Sequence, residues 1–539
     1  MLSAKVLRPS ASHGFAHALD VGYEHLRRAY DRSLEAVLRN RTATLVVSAA
    51  VLVAIPVLFF GTPSELAPTE DQGLILVSAT GPATATLHYL NHYSRQIAHI
   101  FRSFPETKQV FQINGISLSG ATDNALIGGM KLKSWSRRSK TQMALMPAVQ
   151  QQLNHLTGVQ AAAFARPTLP GSAGGFPVQF VITSSSDFGK IDQVANALIG
   201  KAMQSGRFAF LTKDLRYDSP GVVLHVNRNL AGDLGINMAT IADNLEPLLG
   251  GNYVNRFDMS GHSYKVIPQV SDRFRANPSM LRDYYIHSGT GALIPLSTLM
   301  SVHTEVQPEF LPQFQQLNSA TIEGVMSPGV TLGQALTYLR TEAKKILPPG
   351  FGINYASESR QYIQQGHAII ISFALSVLLV YLLLAAQFES FRDPLIVLVT
   401  LPMAITGALV FLYLGAATLN IYTEVGLITL IGLITKQGIL IVQFANVIQE
   451  TEGLDRRAAV EKASSIRLRP ILMTTGAMVF GALPLVFANG PGAVSRFDMG
   501  LVIAAGLAIG AMFSLYVVPV VYTYLARDRR DSVPVSAEP

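Results

Sequence analysis

Lys436 lies in the middle of the apolar run VGLITLIGLITKQGILIVQFANVI. An ammonium inside a membrane span is costly, and by default it is a functional group with a partner to be found. The nearest acid is Glu424, twelve residues earlier. That is roughly 18 Å along a helix axis, too far for a salt bridge. No other apolar run carries an Asp or Glu near its centre. Lys436 therefore lives in a wet cavity or takes its counter-charge from another polypeptide. The ordinary alternative, a lysine snorkelling to the interface, is disfavoured this far from a helix end. Two other constellations carry less. His88 and His92 sit four apart on a predicted helix, a metal-capable spacing, but no third ligand accompanies them and His99 falls on another face. A solvated helix surface is the plainer reading, and no metal is expected. A nucleotide-binding P-loop pattern is missing from the sequence, which argues against ATP as an energy source.

The elements around Lys436 explain its setting. The chain has 539 residues, 49% of them hydrophobic and only 14% charged, a membrane-class composition. It contains no cysteine, which excludes disulfides and cysteine metal sites. The net charge of +7 raises nucleic acid as a partner. The excess sits beside apolar runs instead, as the positive-inside rule requires, so no nucleic acid is expected. Six runs are long enough to span a bilayer, at about 43–61, 367–387, 394–414, 422–448, 470–488 and 499–525. Lys5, Arg8, Arg27, Arg28, Arg32, Arg39 and Arg41 precede the first run. Arg456, Arg457, Lys462, Arg467 and Arg469 fill the 449–469 loop, and Arg527, Arg529 and Arg530 the tail. The loops 415–421 and 489–498 carry almost no charge. Both termini are accordingly expected in the cytoplasm, with residues 62–366 outside.

Residues 1–41 read as the cytoplasmic end of a preceding span, in MLSAKVLRP, followed by an amphipathic helix over 14–39. Leu19, Tyr23, Leu26, Tyr30, Leu34 and Val37 form its apolar stripe, suited to the inner membrane face or to docking on the bundle. Residues 42–61 are the first span, 367–525 hold five more, and 526–539 form a cytoplasmic tail. The block 62–366 has a repeat. LILVSATG, a helix over 86–104, KQVFQINGI, GGMKLKSW, a helix over 141–156 and VQAAAFA give the order β-α-β-β-α-β, which is ferredoxin-like. A second copy opens at PVQFVIT, with a helix over 188–204 and strands near 212–217 and 222–227. It closes with SATIEGVMS, a helix over 331–346 and INYASE. Residues of about 228–312 interrupt it as an inserted subdomain.

One span, a block of roughly 300 residues and five close spans is the layout of half a resistance–nodulation–division (RND) transporter. LAAQFESFRDPLIVLVTLPMAITGALV, GLITLIGLITKQGILIVQFAN and RLRPILMTTGAMVFGALPLVF resemble the C-terminal half of the acriflavine-resistance-type multidrug pumps, as do ELAPTEDQG and LGGNYVNRF. The resemblance implies an α-helical membrane bundle of six spans, half of a twelve-span fold. It adds an α+β periplasmic domain of ferredoxin-like repeats with an inserted docking subdomain. It implies a secondary active proton antiporter rather than an enzyme, in the bacterial inner membrane, with no cofactor and the proton gradient as energy source. The expected partners are a missing N-terminal half carrying an Asp pair, a homotrimer of full protomers, a periplasmic adaptor protein, an outer-membrane channel and the lipid bilayer. The family's proton relay maps here onto Lys436, Thr474 and Arg467. Without the resemblance, Thr474 reads as a hydroxyl bonded to its own helix and Arg467 as a positive-inside anchor. Gln437 replaces the usual Asn after the lysine, and Gln443 stands where Glu is common.

The resemblance also places Phe111, Ile113, Ile116 and Leu118, in VFQINGISLSG, at a deep substrate pocket and its switch loop, and Phe176 and Arg216 at an entrance cleft. Apolar residues on strands are more often core. This pocket is more aliphatic than in many relatives, which predicts weaker stacking on aromatic drugs. The exported compounds would be amphiphilic. Two alternatives remain: a truncated or split-gene fragment with no transport of its own, and a metal or lipid exporter of the same superfamily. The second would need Met130, Met143 and Met146 clustered.

Overall fold

The computed structural model describes residues 15–118, 120–169 and 175–529. Among the described residues six helices are long and apolar enough to cross a membrane: Arg41–Gly61, Ser357–Phe388, Asp393–Tyr413, Ile421–Glu452, Arg456–Val486 and Ala493–Leu525. They are called the first to sixth spans below. The fifth begins fourteen residues before its apolar run, because Asp455 caps the Ala458 N–H and nothing in RRAAVEKASSI breaks a helix. The sixth begins at Ala493, so Arg496 and Asp498 lie in the helix and not in a loop.

The third, fourth and sixth spans are the most buried, and the first and second lie at the edge. Val46, Leu52, Val53, Val57 and Phe60 of the first span are exposed, as a lipid-facing surface would be. Small residues let the centre close. A Cβ on Gly510 would stand 2.6 Å from that of Ala404, and one on Gly506 would meet the Leu430 side chain at 2.4 Å. Close backbone approach of this kind replaces the hydrophobic effect as the packing force between helices in lipid.

The amphipathic helix runs Phe15–Arg39. Tyr30, Leu34 and Leu38 are buried in the bundle core beside the fifth and sixth spans, and the Tyr30 hydroxyl donates to the Leu515 carbonyl at 2.8 Å. The helix thus docks on protein at Tyr30 and Leu34, while Leu26 of the same predicted stripe stays half-exposed. The Leu19 side chain, the MLSAKVLRP start, Lys5, Arg8 and Arg530 lie outside the described residues.

Among the described residues the soluble region holds a four-stranded sheet, a five-stranded sheet and three two-stranded ribbons. The first has β1 (Leu74–Thr80), β2 (Thr107–Ser117), β3 (Gly120–Leu132) and β4 (Gln160–Ala165), in the order β2-β3-β1-β4, all antiparallel. Helices Leu87–Ser103 and Gln142–Leu153 bury Leu90, Ile97, Leu145 and Val149 against it. In the second sheet Phe208–Lys213, Leu317–Met326, Val178–Ser184 and Phe351–Tyr355 lie side by side in that order. Helices Phe188–Gln204 and Leu332–Ile346 cover it. The strand expected over 222–227 is not in this sheet. Tyr217–Val226 pairs with Met300–Pro308 as a separate two-stranded ribbon. Its half-buried alternation, with no fully buried residue, suits a ribbon better than a core strand.

The segment after the first span ties the soluble region to the bundle. Leu419 and Glu65 exchange backbone bonds with this segment and with the turn between the third and fourth spans (Leu419 N to Pro63 O, 2.9 Å; Glu65 N to Leu419 O, 3.0 Å). Glu70 accepts from both the Ser495 N–H (2.7 Å) and hydroxyl at the start of the sixth span.

Candidate functional site

Lys436 stands near the middle of the fourth span and is exposed. It has no hydrogen-bond or ion-pair partner among the described residues. Its neighbour does the opposite. Gln437 is buried; its Nε2 donates to Thr475 Oγ1 of the fifth span at 2.8 Å. Its Oε1 lies 3.0 Å from the Ser514 hydroxyl of the sixth span, which also has the Ala511 carbonyl at 2.9 Å. Three spans are therefore joined by side-chain hydrogen bonds one residue away from the lysine.

This triad fixes where Thr474 can be. The fourth and fifth spans are joined by a short turn and run antiparallel. Stepping back one residue from Gln437 and from Thr475 rotates each helix by about 100°, in opposite senses when viewed from one end. Lys436 and Thr474 thus emerge on the same side of the helix pair. The Thr474 hydroxyl is bonded within its own helix, to Pro470 O (2.9 Å) and Ile471 O (3.1 Å). Thr474 is thus a hydroxyl bonded to its own helix, and it makes no bond to Lys436. Arg467 is two turns away on the fifth span. Its guanidinium sits 4.1 Å from the Phe444 ring centroid of the fourth span, a cation–π contact, and its Nε is buried without a partner. The three expected relay residues are not bonded to one another.

A second buried polar network lies at the bundle end away from the soluble region. Asn446 Nδ2 donates to Asp393 Oδ2 (3.1 Å), Tyr522 OH to Asn446 Oδ1 (2.6 Å) and Gln449 Nε2 to Tyr522 OH (2.6 Å). Arg529 pairs with Asp393 (3.0 Å) and Glu450 (2.6 Å). By sequence alone Arg529 is only one of the basic residues of the tail. The signal was present in VQFANVIQ, where Asn446 and Gln449 share one helix face inside an apolar run.

The expected substrate residues divide. Leu118, Phe176 and Arg216 line one cleft of about 290 Å³ between the two sheets. Phe176 is buried there, its ring 4.9 Å from Phe164 and 5.7 Å from Phe210, so it is as much a seam between the sheets as a wall. Arg216 is held by Asp218. Phe111 lines a different hollow, with Gln72, Lys131 and Arg166. Phe111 and Ile113 are exposed on the β2–β3 hairpin, and Ile116 is half-buried beyond a bulge at Gly115, whose φ of +87° suits glycine. The cleft also holds three carboxylates that no sequence motif marks. Asp214 Oδ1 accepts from the backbone N–H of Thr321 (2.6 Å) and Leu215 (2.7 Å), and Glu309 from Asn124 Nδ2 (2.7 Å). Glu323 completes them. Burial raises the carboxyls of Asp214 and Glu309 above their usual range.

His88, His92 and His99 are exposed on their helix, and His92 Nε2 meets Gln96 at 2.8 Å. Met130 is in the core of the first sheet with Met146 packed against it. Among the described residues no group of three or more His, Asp or Glu could hold a metal.

The profile of the AcrB/AcrD/AcrF family matches residues 1–526. The chain belongs to this family of RND transporters. It is 38% identical over 541 residues to an uncharacterized transporter of Haemophilus influenzae, covering 98% of this chain and 52% of the relative. It is 30% identical to the multidrug export protein AcrF of Escherichia coli over 540 residues, with 98% and 52% covered. It is also 30% identical to the multidrug/solvent efflux pump membrane transporter MepB of Pseudomonas putida over 534 residues, with 97% and 51% covered. The chain spans about half the length of the curated relatives it matches. Family and helices together make it a multi-pass protein of the inner membrane.

Proposed function

We propose that this chain is the lysine-bearing half of a proton-driven efflux pump for amphiphilic compounds. The observation that carries the reading is Lys436, an exposed mid-span ammonium without a carboxylate partner among the described residues, beside a polar triad that joins three spans. Carboxylates from outside this sequence would hold Lys436 when deprotonated. Protonating them releases it, since an opposite charge nearby is what favours the ionised form of each. A shift of the fourth span at Lys436 passes through Gln437 to Thr475 and Ser514, so the fifth and sixth spans move with it. Thr474 emerges on the same side and can exchange its backbone bond for one to a moving partner. Arg467 keeps a permanent charge near the basic end of its span. The two sheets are read as ferredoxin-like porter subdomains on the periplasmic side, and the region around the Tyr217–Val226 ribbon as the docking insertion. Leu118, Phe176 and Arg216 form the substrate cleft, with Phe111, Ile113 and Ile116 on the adjoining β2–β3 hairpin. A homotrimer, an adaptor and an outer-membrane channel would complete the path.

Two relatives are named for multidrug export and multidrug/solvent efflux, which supports the substrate class. The test is dye accumulation in a pump-deleted host. The chain is expressed alone and together with a six-span family member that carries the acidic span. The pair should lower accumulation in a proton-gradient-dependent way and the chain alone should not. Efflux by the lone chain would overturn the reading.

A further inference from the structure

The joint between the bundle and the soluble region is rich in carboxylates and poor in cations. Four acids meet there: Glu65 and Glu70 on the segment that leaves the first span, Glu358 on the first turn of the second span and Asp498 on the second turn of the sixth. Glu70 is 5% exposed and Asp498 2%. Glu65 lies within electrostatic range of Asp498 and of Glu358, and Asp498 of Glu70. Among the described residues none of the four has an ion pair. Nearby cations are engaged elsewhere or face outward. Arg138 is held by Asp71 at 2.6 Å, the Arg496 guanidinium by the carbonyls of Asn489 (3.3 Å) and Pro491 (2.8 Å), and Arg360 is exposed. The turn 414–420 is uncharged, and Glu424 beyond it adds a further acid. The four acids bond only to neutral groups, and these bonds stitch elements together. The Thr418 hydroxyl donates to Glu65 at 2.6 Å, so the turn between the third and fourth spans grips the segment after the first. Asn420 caps the fourth span with Oδ1 and donates from Nδ2 to Asp498 at 2.7 Å, tying the fourth span to the sixth. Ser495 serves one Glu70 oxygen, while Glu70 Oε2 is buried without a partner. Ser64 bonds the Tyr362 hydroxyl (2.7 Å), and its carbonyl accepts from the Gly333 N–H (3.0 Å). The segment that these acids hold therefore also holds the second sheet's subdomain.

We infer that this joint is a pH-operated latch: protonated, its carboxyls clasp the segment 62–70 between the spans and the soluble region, and ionised, they repel one another and loosen it. Buried carboxylates with neutral partners alone are poorly compensated, and like charges brought together disfavour ionisation further. The latch uses neither Lys436 nor the cleft between the sheets, so it stands apart from the efflux reading. Burial, opposed by the Thr418 hydrogen bond and reinforced by the Asp498 charge, pushes the Glu65 carboxyl from 4.5 up to about 7. Closing the joint therefore takes up a proton. The grip is full below the lower value and is lost as pH rises through the upper one. The soluble region is thus held most firmly when its own side of the membrane is acidic.

The test is hydrogen exchange of the purified full chain in lipid nanodiscs, read by mass spectrometry at pH 5 and pH 8 and corrected for the intrinsic pH dependence of exchange. The amides of Glu65, Leu419 and Ile421 bridge the joint and report its opening. Their protection in the wild type should fall by about tenfold from pH 5 to pH 8. Linkage allows roughly tenfold per pH unit between the two Glu65 values, and solvent screening at a partly exposed carboxyl lowers that ceiling. Glu65→Gln keeps an acceptor for Thr418 but cannot ionise, so its protection at pH 8 should stay near the wild-type value at pH 5. Asp498→Asn, a second neutral variant, should shift protection at pH 8 in the same direction. The helix Leu87–Ser103 of the first sheet is the control and should keep its protection throughout. Protection at the joint that is flat with pH in the wild type would overturn the latch. So would a full wild-type decline in both neutral variants, or an equal decline in the control helix, which would mark global unfolding instead.

Discussion

Replacing Lys436 with methionine should have opposite signs in two assays. Lys436 is 15 residues from Ile421 and 16 from Glu452, the ends of its helix. At about 1.5 Å per residue these are roughly 22 and 24 Å, so the ammonium sits near mid-membrane, beyond the reach of its four-carbon stem to either interface. Insertion scales put an unpaired lysine there at about 2.5–3.5 kcal/mol. Methionine has similar length and no charge, so Lys436→Met should stabilise the lone chain by about 2–3 kcal/mol. A lysine paired within the chain would behave the other way, because removing it orphans a buried acid at about 3–5 kcal/mol. The measurement is reversible unfolding of the purified chain by SDS titration in mixed micelles, followed by tryptophan fluorescence from Trp135 and by helical circular dichroism. In the reconstituted pair the same substitution should abolish dye efflux with expression unchanged. Destabilisation of the lone chain by 3 kcal/mol or more, or efflux at the wild-type rate in the pair, would refute the orphan-lysine argument.

Other consequences are checked by similar means. Arg529→Ala leaves the Asp393 carboxylate, 2% exposed, with Asn446 alone. It should cost about 3 kcal/mol, and adding Asp393→Asn should recover most of that in a double-mutant cycle. Gln437→Leu removes two interhelical bonds and should cost about 1 kcal/mol in the same titration, since such bonds average ~0.6 kcal/mol in lipid. It should also slow efflux in the pair. Folding raises the Glu323 carboxyl from 4.5 to about 7, so the folded chain takes up a proton between those values. This contribution to stability is largest below the lower value and is lost as pH rises through the upper one. Glu323→Gln should therefore raise the melting temperature at pH 8 and much less at pH 5. The chain has no native cysteine, so Ser185→Cys, on the exposed surface of the second sheet's subdomain, reports topology. An impermeant thiol reagent should label it in intact spheroplasts if the soluble region is periplasmic.

The six apolar spans, the strand and helix order around the first sheet and the distance of Lys436 from any acid in its run were legible in the sequence. Each depends on local quantities: the length of an apolar run, the period of a pattern, or the number of residues between two charges. Helix ends were not legible where an amphipathic turn continued an apolar span, as at Arg456 and Ala493. No hydropathy change marks the point at which a helix leaves the membrane. The pairing of Tyr217–Val226 with Met300–Pro308 joins segments some eighty residues apart, and only the tertiary structure chose it over the second sheet. The same limit applied to the sites. Thr474 and Thr475 are adjacent and chemically identical, yet a rotation of about 100° per residue gives only Thr475 to Gln437. Phe111 and Phe176 both read as pocket aromatics, but strand register put one on an exposed hairpin and the other in a buried seam. Glu323 was visible as a lone acid among alternating apolar residues in SATIEGVMS. That it has no cation to pair with is a fact about Lys213 and Arg216, whose partners Asp192 and Asp218 are brought to them by folding. Sequence determines which groups need a partner; packing decides which of them are left without one.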